Sequence, residues 1–191
     1  MTGRPRDLEL ERRLLDAAWR QLTERGYDAL SMSRVAAAAN AHRTDVYRRW
    51  STKPQLVVDV LAEHLPAVED RDTGTLLGDI RGYLEGLALS WAAPWMDGLV
   101  GALADLRHDP DAELAFVSLA VRRGQVMRTA LARALDRGEI AQLPDVAALG
   151  DLLEGPLMHR RMIGRQALAP EYLETIAALA HQVCLVPANL T

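Results

Sequence analysis

The chain has 191 residues, enough for one sizeable domain or two small ones, and its formal net charge is −4. Phe occurs once, β-branched residues are sparse, and Ala and Leu abound, so we predict an all-α protein. The single cysteine, Cys184, excludes a disulfide framework and a cysteine metal cluster. Residues 1–16 lack the apolar core of a signal peptide, and no apolar run approaches the ~20 residues that span a bilayer. We therefore expect a cytoplasmic protein with no membrane partner.

Charge is divided unevenly along the chain. Residues 1–54 hold 11 Lys and Arg against 7 Asp and Glu, whereas the remainder holds 11 against 19. A basic head on an acidic body concentrates affinity for nucleic acid at one end. On this basis we predict two domains, a DNA-binding domain at 1–54 and a second domain at 55–191.

The first six residues are polar and cationic. One hypothesis is that Arg4 and Arg6 form an arm that reaches the minor groove or the phosphates, and the alternative is a frayed terminus. A first helix is predicted from about Asp7 to Arg25, where Gly26 stops it. Its apolar stripe would pack beneath the segment that follows.

A tight turn is predicted at Asn40. Val35, Ala36 and Ala39 share one face of a short helix, which stops at Asn40 because Asn tolerates the left-handed backbone conformation. A second short helix is predicted to begin near Thr44. The spacing indicates a helix-turn-helix over residues 31–53.

The second helix of the pair presents cations and hydroxyl groups outward. Val46 and Trp50 are four residues apart and face inward, which leaves Arg43, Arg48 and Arg49 outside. Arg forks onto guanine edges or phosphates, and hydroxyl groups reach phosphate oxygens, as a helix in the major groove requires. On spacing alone, a solvated amphipathic hairpin is an equal alternative.

This stretch resembles the DNA-binding domain of the TetR family of transcriptional regulators. The matched positions are Ser31, Val35–Ala36, Ala39, Val46–Tyr47, Trp50 and Thr52–Lys53. Asn40 replaces the usual Gly, Ala41 the usual Val and His42 the usual Ser; His is the weaker helix cap, so the start of the recognition helix is open. With Arg4 and Arg6, the predicted DNA contacts are Ser31, Ser33, Arg43, Thr44, Tyr47, Arg48, Arg49 and Lys53.

About nine helices are predicted in all. After a fourth helix, which begins just after Lys53 and ends at Pro66, come helices at 75–93 and 95–107. A single long helix is predicted over 109–137, opened by an Asp-Pro pair and stopped by a Gly. The last two helices are predicted at 145–161 and 170–186.

Arg123 falls in the predicted inner stripe of the long helix. A cation there must be paired or hydrogen-bonded. The favoured interpretation is a structural ion pair, for example with Glu154, and the alternative is an anchor for an anionic ligand. The full stripe is Phe116, Ala120, Arg123, Met127, Ala130 and Ala134.

The last predicted helix carries two adjacent apolar stripes, which indicates that it is covered on both sides. In the TetR family the last two helices pair with their mates to form a four-helix interface. The resemblance therefore implies a homodimer, with residues 55–191 as an effector-binding and dimerisation domain. The predicted interface residues are Leu149, Leu153, Leu157, Tyr172, Ile176, Leu179 and Val183.

Trp and Met residues of the body could line an apolar cavity, although at helical spacing such residues are more often core. The predicted ligand-binding residues are Trp91, Trp95, Met96, Leu99, Leu103, Phe116, Arg123, Met127 and Met158. The hypothesis that follows is a repressor released from its DNA operator by an unidentified small hydrophobic ligand.

The sequence contains no recognisable catalytic constellation. The five His residues are scattered without metal-ligand spacing, and no Gly-rich phosphate loop occurs, so we expect no enzyme activity, metal or cofactor. Two alternatives stay open, a ligand-dependent activator of the same family and a dimeric helical adaptor that binds protein without DNA specificity.

Overall fold

The computed structural model describes residues 7–93 and 95–186, apart from the side chains of residues 98 and 100. This part of the chain forms ten α-helices and no strand, which confirms the all-α prediction. Arg4 and Arg6 lie outside the described residues. The helices are α1 (Leu8–Ala29), α2 (Met32–Ala38), α3 (Arg43–Tyr47), α4 (Lys53–His64), α5 (Leu76–Trp91), α6 (Trp95–Leu106), α7 (Pro110–Arg123), α8 (Gln125–Asp136), α9 (Val146–Met158) and α10 (Pro170–Leu185).

The long helix predicted over 109–137 is two helices, and this break makes the number ten rather than nine. Gly124 lies between α7 and α8 with φ −71° and ψ −8°. Its ψ differs from the α-helical value of about −42°, so the regular helix is interrupted there. Gly stabilises a helix less than any residue except Pro, so the helix axis can change direction there. Ala120 is exposed rather than in an inner stripe, because Ala112 and Leu119 occupy the buried face of α7.

Contacts divide the chain into two compact units. One contains residues up to 65 and from 95 to 119, and the other contains residues 66–93 and those from 120 onward. This division differs from the predicted functional boundary after residue 54, because α1 packs against both α4 and α6. The functional boundary stays a prediction.

In the first unit, α1, α4 and α6 surround a core of fully buried Leu and Met side chains. Gly26 has φ +74° and kinks α1 at the position where the sequence predicted its end, so that Tyr27 turns back into the core. The hydroxyl of Tyr27 donates to Asp105 at 2.7 Å. Gly101 lets α6 approach this ring, since a Cβ atom there would lie 3.2 Å from a Tyr27 ring carbon.

In the second unit, α5 packs against α8 and α10, and α10 packs against α9. Arg133 of α8 fastens the loop before α5, with a guanidinium nitrogen 2.7 Å from Asp70 and another 3.7 Å from Asp72. Asp79 is buried and accepts hydrogen bonds from the backbone and side chain of Thr73, each at 2.7 Å. Charge-assisted hydrogen bonds therefore hold this loop, together with the buried side chain of Val68.

No helix in the described ranges is both long enough and apolar enough to cross a membrane.

Candidate nucleic-acid interface

The turn of the helix-turn-helix is built on Asn40. Its φ is +52°, and its backbone N–H donates to the Ala37 carbonyl at 3.1 Å. The N–H of Ala41 donates to the Ala36 carbonyl at 2.9 Å. This pair of bonds is the Schellman pattern, in which a left-handed residue satisfies the last carbonyls of a helix. Asn40 therefore adopts the left-handed conformation for which Gly is the usual residue at this position.

Asp45 and the cap residue His42 form the start of α3 together, as a capping box. The carboxylate accepts from the backbone N–H of His42 at 3.3 Å and from the Arg48 guanidinium at 2.7 Å. Partial desolvation would raise the pKa of Asp45, but these two hydrogen bonds outweigh it and lower the pKa below its usual value. An ionised carboxylate in the first turn also favours the helix dipole. The recognition helix consequently begins at Arg43, one residue before the predicted start.

Two buried side chains hold α3 against the rest of the first unit. Val46 is 0 % exposed and Trp50 is 3 % exposed. The indole N–H of Trp50 donates to the Asp59 carboxylate on α4 at 2.8 Å. This bond fixes the angle at which the outer face of α3 is presented.

The outer face of the motif is cationic and hydroxyl-bearing. Arg43, Thr44, Tyr47 and Arg48 are exposed, as the sequence predicts. A guanidinium nitrogen of Arg43 donates to the Tyr47 hydroxyl at 3.1 Å, and the guanidinium carbon lies 5.0 Å from the ring centroid. Arg43 and Tyr47 are therefore ordered together, one turn apart on the same helix face.

On α2, Ser33 is exposed, while Ser31 is half-buried at the N-terminus of the helix. Arg34 is also exposed, and the sequence prediction omitted it. Its exposure was predictable, because it lies beside Ser33 and is not among the residues that α2 buries, which are Met32, Val35 and Ala36.

The prediction that Arg49 faces outward is wrong. Its side chain is only 7 % exposed, and it donates to the Asp45 carbonyl at 3.0 Å and lies 3.6 Å from Glu11. Since α3 ends at Tyr47, Arg49 lies beyond the helix and turns inward, where it links the motif to α1.

Lys53 is also engaged internally. Its ammonium donates to the Tyr27 carbonyl at 3.1 Å and lies 3.8 Å from the centroid of the Tyr27 ring. The Lys53 side chain is half-buried. It therefore stabilises the fold around Tyr27 more directly than it offers its charge to DNA.

Two family models match the chain. The model described as bacterial regulatory proteins, tetR family, matches residues 14–60, and the tetracyclin repressor-like C-terminal domain matches residues 70–180. The chain belongs to the TetR family. As a member of it, the protein is a DNA-binding transcriptional regulator of the helix-turn-helix type. The resemblance of the helix-turn-helix stretch is confirmed, and the second model extends the family match to the body.

Individual relatives agree with this assignment. The chain is 32 % identical over 183 residues to an uncharacterized HTH-type transcriptional regulator of Mycobacterium tuberculosis, covering 95 % of this chain and 87 % of the relative. It is 33 % identical over 162 residues to a protein named DNA-binding transcriptional repressor TetR of Mycobacteroides abscessus, covering 79 % and 81 %. The crystal structure of the TetR family transcription regulator SCO0332 shares the fold with a TM-score of 0.73 and 23 % identity, covering 94 % and 100 %.

The residues predicted to bind a ligand fall into both units of this TetR family regulator. Among those in the first unit, Trp95, Met96 and Leu99 are buried in the core. Leu103 and Phe116 are half-buried and line a shallow cavity of about 440 Å³. In the second unit, Trp91 and Met127 are buried, whereas Met158 is exposed on α9.

Arg123 takes a structural role different from the pairing that the sequence suggested. It donates to the Pro66 carbonyl at 2.8 Å and contacts the Ser90 hydroxyl at 3.5 Å. Glu154 instead accepts from the Tyr83 hydroxyl at 2.9 Å, and burial raises the pKa of Glu154. The Arg123 bonds favour the structural interpretation, with a carbonyl partner in place of a carboxylate.

The residues predicted to form the dimer interface divide into two groups. Leu149, Leu153, Leu157 and Ile176 are buried within the second unit of the chain, so they serve its own core. Leu179 is 54 % exposed and Val183 is 49 % exposed.

Tyr172, the remaining predicted interface residue, is half-buried and donates to the Pro156 carbonyl at 3.0 Å. On α10, therefore, Leu173, Ala177, Ala180 and Cys184 form a buried stripe, whereas Leu179 and Val183 form an open stripe beside it.

Proposed function

We propose that the protein is a repressor that binds operator DNA as a homodimer and releases it when a small hydrophobic ligand binds. The observation that carries this proposal is the outer face of α3, where Arg43, Thr44, Tyr47 and Arg48 are exposed on a helix locked by buried contacts. A relative at 33 % identity is named a transcriptional repressor, which supports repression over activation.

Recognition would divide between bases and phosphates. α3 has only five residues, so three or four side chains from one turn would reach base edges in the major groove. The Arg43 guanidinium, positioned by Tyr47, suits a bidentate contact to guanine. The Thr44 hydroxyl, with Ser33 and Arg34 on α2, suits phosphate contacts that set register.

Dimerisation would pair the open stripe of α10 with that of a second copy. Leu179 and Val183 lie four residues apart on one face, and Gly155 on α9 has open space beside its backbone. A two-fold axis through such a surface would hold the two recognition helices about one DNA turn apart, roughly 34–36 Å. Because its target is the chromosome, a cytoplasmic location belongs to the same proposal.

Binding to the promoter fragment upstream of its own gene tests the proposal. Fluorescence anisotropy should show a preference for that fragment over a scrambled duplex, with affinity that falls steeply as salt rises. Arg43→Ala should weaken the specific complex by about 1–3 kcal/mol, because a base contact is lost.

Arg128→Ala is the matched control, since this arginine is exposed on α8 outside the head, and it should bind like the wild type. Equal affinity for both duplexes, or an Arg43→Ala variant that discriminates as well as the wild type, would sink the DNA-recognition proposal. An adaptor without DNA specificity would give the first of these results.

The alternative of a ligand-dependent activator shares the DNA interface and differs only in the sign of the ligand's effect. Transcription in vitro from the bound promoter separates the two. A repressor lowers transcript yield when it is added alone, whereas an activator raises it when ligand is present.

A further inference from the structure

Arg49 is a buried cation that joins the end of the recognition helix to the start of α1. Its side chain is only 7 % exposed. In a continuing helix the Asp45 carbonyl would accept from the backbone N–H of Arg49. That N–H donates to the Val46 carbonyl at 2.9 Å, and the Arg49 guanidinium donates to the Asp45 carbonyl at 3.0 Å. Arg49 therefore satisfies a carbonyl of α3 with its side chain, where the helix ends.

The rest of the guanidinium contacts the first turn of α1. Its other terminal nitrogen donates to the carbonyl of Asp7, the N-cap residue of α1, at 3.4 Å. The Nε atom lies 3.6 Å from the carboxylate of Glu11, whose side chain is 24 % exposed. One planar group thus faces two carbonyls and one carboxylate that belong to two helices of the same compact unit.

The ion pair between Arg49 and Glu11 is buried but incomplete. Neither the Arg49 Nε nor the Glu11 Oε2 has a hydrogen-bond partner among the described residues, although both atoms are buried. Removing two opposite charges from water costs free energy that such a pair does not fully return. A buried pair of this kind is weak evidence for stabilisation, so its contribution is to be sought in the geometry that it imposes.

Directed contacts matter here because α3 is short. A helix of five residues is not stable by itself, so its orientation depends on what holds it. On one side, the Trp50 indole bonds to Asp59 on α4 at 2.8 Å. Val46 adds apolar contact, which is not directional. A segment held by one directed contact can still turn about it, and Arg49 supplies further directed contacts to a different helix, α1.

The inner and outer faces of α3 meet at Asp45. Its carbonyl accepts from the buried Arg49, whereas its carboxylate accepts from the exposed Arg48 at 2.7 Å. Arg43, the proposed base contact, lies two residues before Asp45 in the same helical turn. A rotation of the Asp45 backbone relative to α1 would therefore move the Arg43 guanidinium as well.

We propose that Arg49 is a positioning residue for operator discrimination, which acts through α3 and does not touch DNA. Glu11 and the Asp7 carbonyl hold its guanidinium, and the guanidinium holds the rotation at which α3 presents Arg43. Discrimination depends on that rotation because a bidentate contact to guanine tolerates little angular error, whereas attraction to phosphates carries no sequence information. This inference deepens the DNA-recognition part of the proposed function and rests on it.

Arg49→Lys in the full-length protein is the main test. A Lys keeps the positive charge but lacks the planar fork, so it cannot meet Asp45 and the first turn of α1 together. Fluorescence anisotropy measures the ratio of affinities for the promoter fragment and a scrambled duplex. This ratio should fall at least about fivefold, while the affinity for the scrambled duplex stays that of the wild type. Arg128→Lys, the same change at an exposed position on α8, is the matched control and should keep the ratio.

Glu11→Gln tests the same geometry from the other helix. The amide keeps the shape of the side chain but removes the charge that holds Arg49, so the affinity ratio should fall in this variant too. Glu9→Gln, at an exposed acid in the same first turn, removes a charge without that contact and should keep the ratio. If Arg49 instead contacted phosphates directly, Glu11→Gln would strengthen binding to both duplexes alike and leave the ratio unchanged.

A double variant tests the route through α3. In an Arg43→Ala background, Arg49→Lys should cost much less discrimination than it costs alone, because the contact that it orients is already lost. Thermal unfolding identifies the temperature range in which every variant is folded, and the affinities are compared there. A residue that only stabilised the fold would lower the melting temperature and leave the affinity ratio of the folded protein unchanged.

The outcomes separate this inference from the proposed function. A wild-type protein that discriminates its promoter, with Arg49→Lys and Glu11→Gln variants that discriminate equally well, refutes the role of Arg49 alone. Should Arg49→Lys fail to fold, Glu11→Gln decides by itself. Additive losses in the double variant with Arg43→Ala refute the route through α3. A wild-type protein that does not prefer its promoter refutes the proposed function, and this inference with it.

Discussion

Asn40 holds a left-handed backbone conformation at the centre of the helix-turn-helix, with φ +52° and its residue surface exposed. Asn accepts this conformation because its short side chain is not branched at Cβ, whereas a branched residue clashes with the adjacent carbonyl. The identity of one exposed residue therefore sets the geometry between α2 and α3, although it contributes no core contact.

Substitution at Asn40 tests whether the turn depends on a residue that accepts the left-handed conformation. Asn40→Gly should change the free energy of unfolding by less than about 1 kcal/mol, because relief of strain offsets the greater entropy of the unfolded chain. Asn40→Val should destabilise by about 1–3 kcal/mol. Thermal or urea unfolding measures both, with Ala37→Val, an exposed helical position, as the control for β-branching itself. A Val variant at Asn40 no less stable than this control contradicts the strain argument.

The difference between Arg48 and Arg49 shows what the sequence could and could not predict in the site. The inward anchors Val46 and Trp50 and the outward Arg43 follow from helical spacing, and the structure agrees. Arg49 was misplaced because the spacing argument assumed that α3 continues to Trp50. The helix ends two residues before Arg49, and helix ends depend on partners distant in sequence, here Glu11 on α1.

At the scale of helices, the starts of α4 and α7 share one polar contact within the first unit. The Thr52 hydroxyl accepts from the Gln55 N–H at 3.4 Å and donates to Asp109. Asp109 in turn accepts from the Ala112 N–H at 3.1 Å. One threonine and one aspartate thus cap two helices at once and join the helix that follows the recognition element to the start of α7.

Asp109→Asn probes this shared cap. The Thr52 hydrogen bond, outweighing desolvation, lowers the pKa of Asp109. A lowered folded-state pKa gives stability that is present above the unfolded value of about 3.9 and is lost as pH falls. The variant should lose about 1–2 kcal/mol near neutral pH, and the gap to wild type should shrink towards about pH 3.

Chemical unfolding across this pH range makes the measurement. Asp111→Asn, a change at an exposed acid in the first turn of α7, should cost less because it removes only a dipole interaction. A gap between Asp109→Asn and wild type that stays constant with pH rules out the shared cap as its cause.

Helix ends with strong local signals were predictable, and those that depend on packing were not. The caps at Asp109 and Thr52 are visible in the sequence and present in the structure, whereas Gly26, the predicted stop of α1, is a kink after which the helix continues to Ala29. The break at Gly124 was not predicted, because a single Gly inside an apolar pattern is often tolerated in a helix.

At the scale of the whole molecule, the open stripe on α10 is the surface through which two copies would meet. The sequence prediction placed Tyr172, Ile176, Leu179 and Val183 together at the interface, but apolar spacing does not show which of them the chain itself covers. The structure assigns Ile176 to the inside and leaves Leu179 and Val183 outside.

Leu179→Glu should dissociate the dimer by introducing a charge into an apolar contact, raising its dissociation constant by at least about tenfold. Sedimentation at micromolar concentration should show a folded monomer, and operator affinity should fall because one copy reaches only one half-site. Leu114→Glu, at an exposed position on α7, is the control. An unchanged sedimentation coefficient in Leu179→Glu would place the interface elsewhere.

The short bond between Arg48 and Asp45 has a consequence for how the protein scans a genome. The neighbouring carboxylate lowers the net positive charge that Arg48 presents to an arbitrary phosphate. Arg48 should therefore contribute little to sliding along unrelated sequence, where only backbone attraction operates. Replacing Asp45 with Asn would lengthen the residence time on random duplex more than on the operator, and so slow the search.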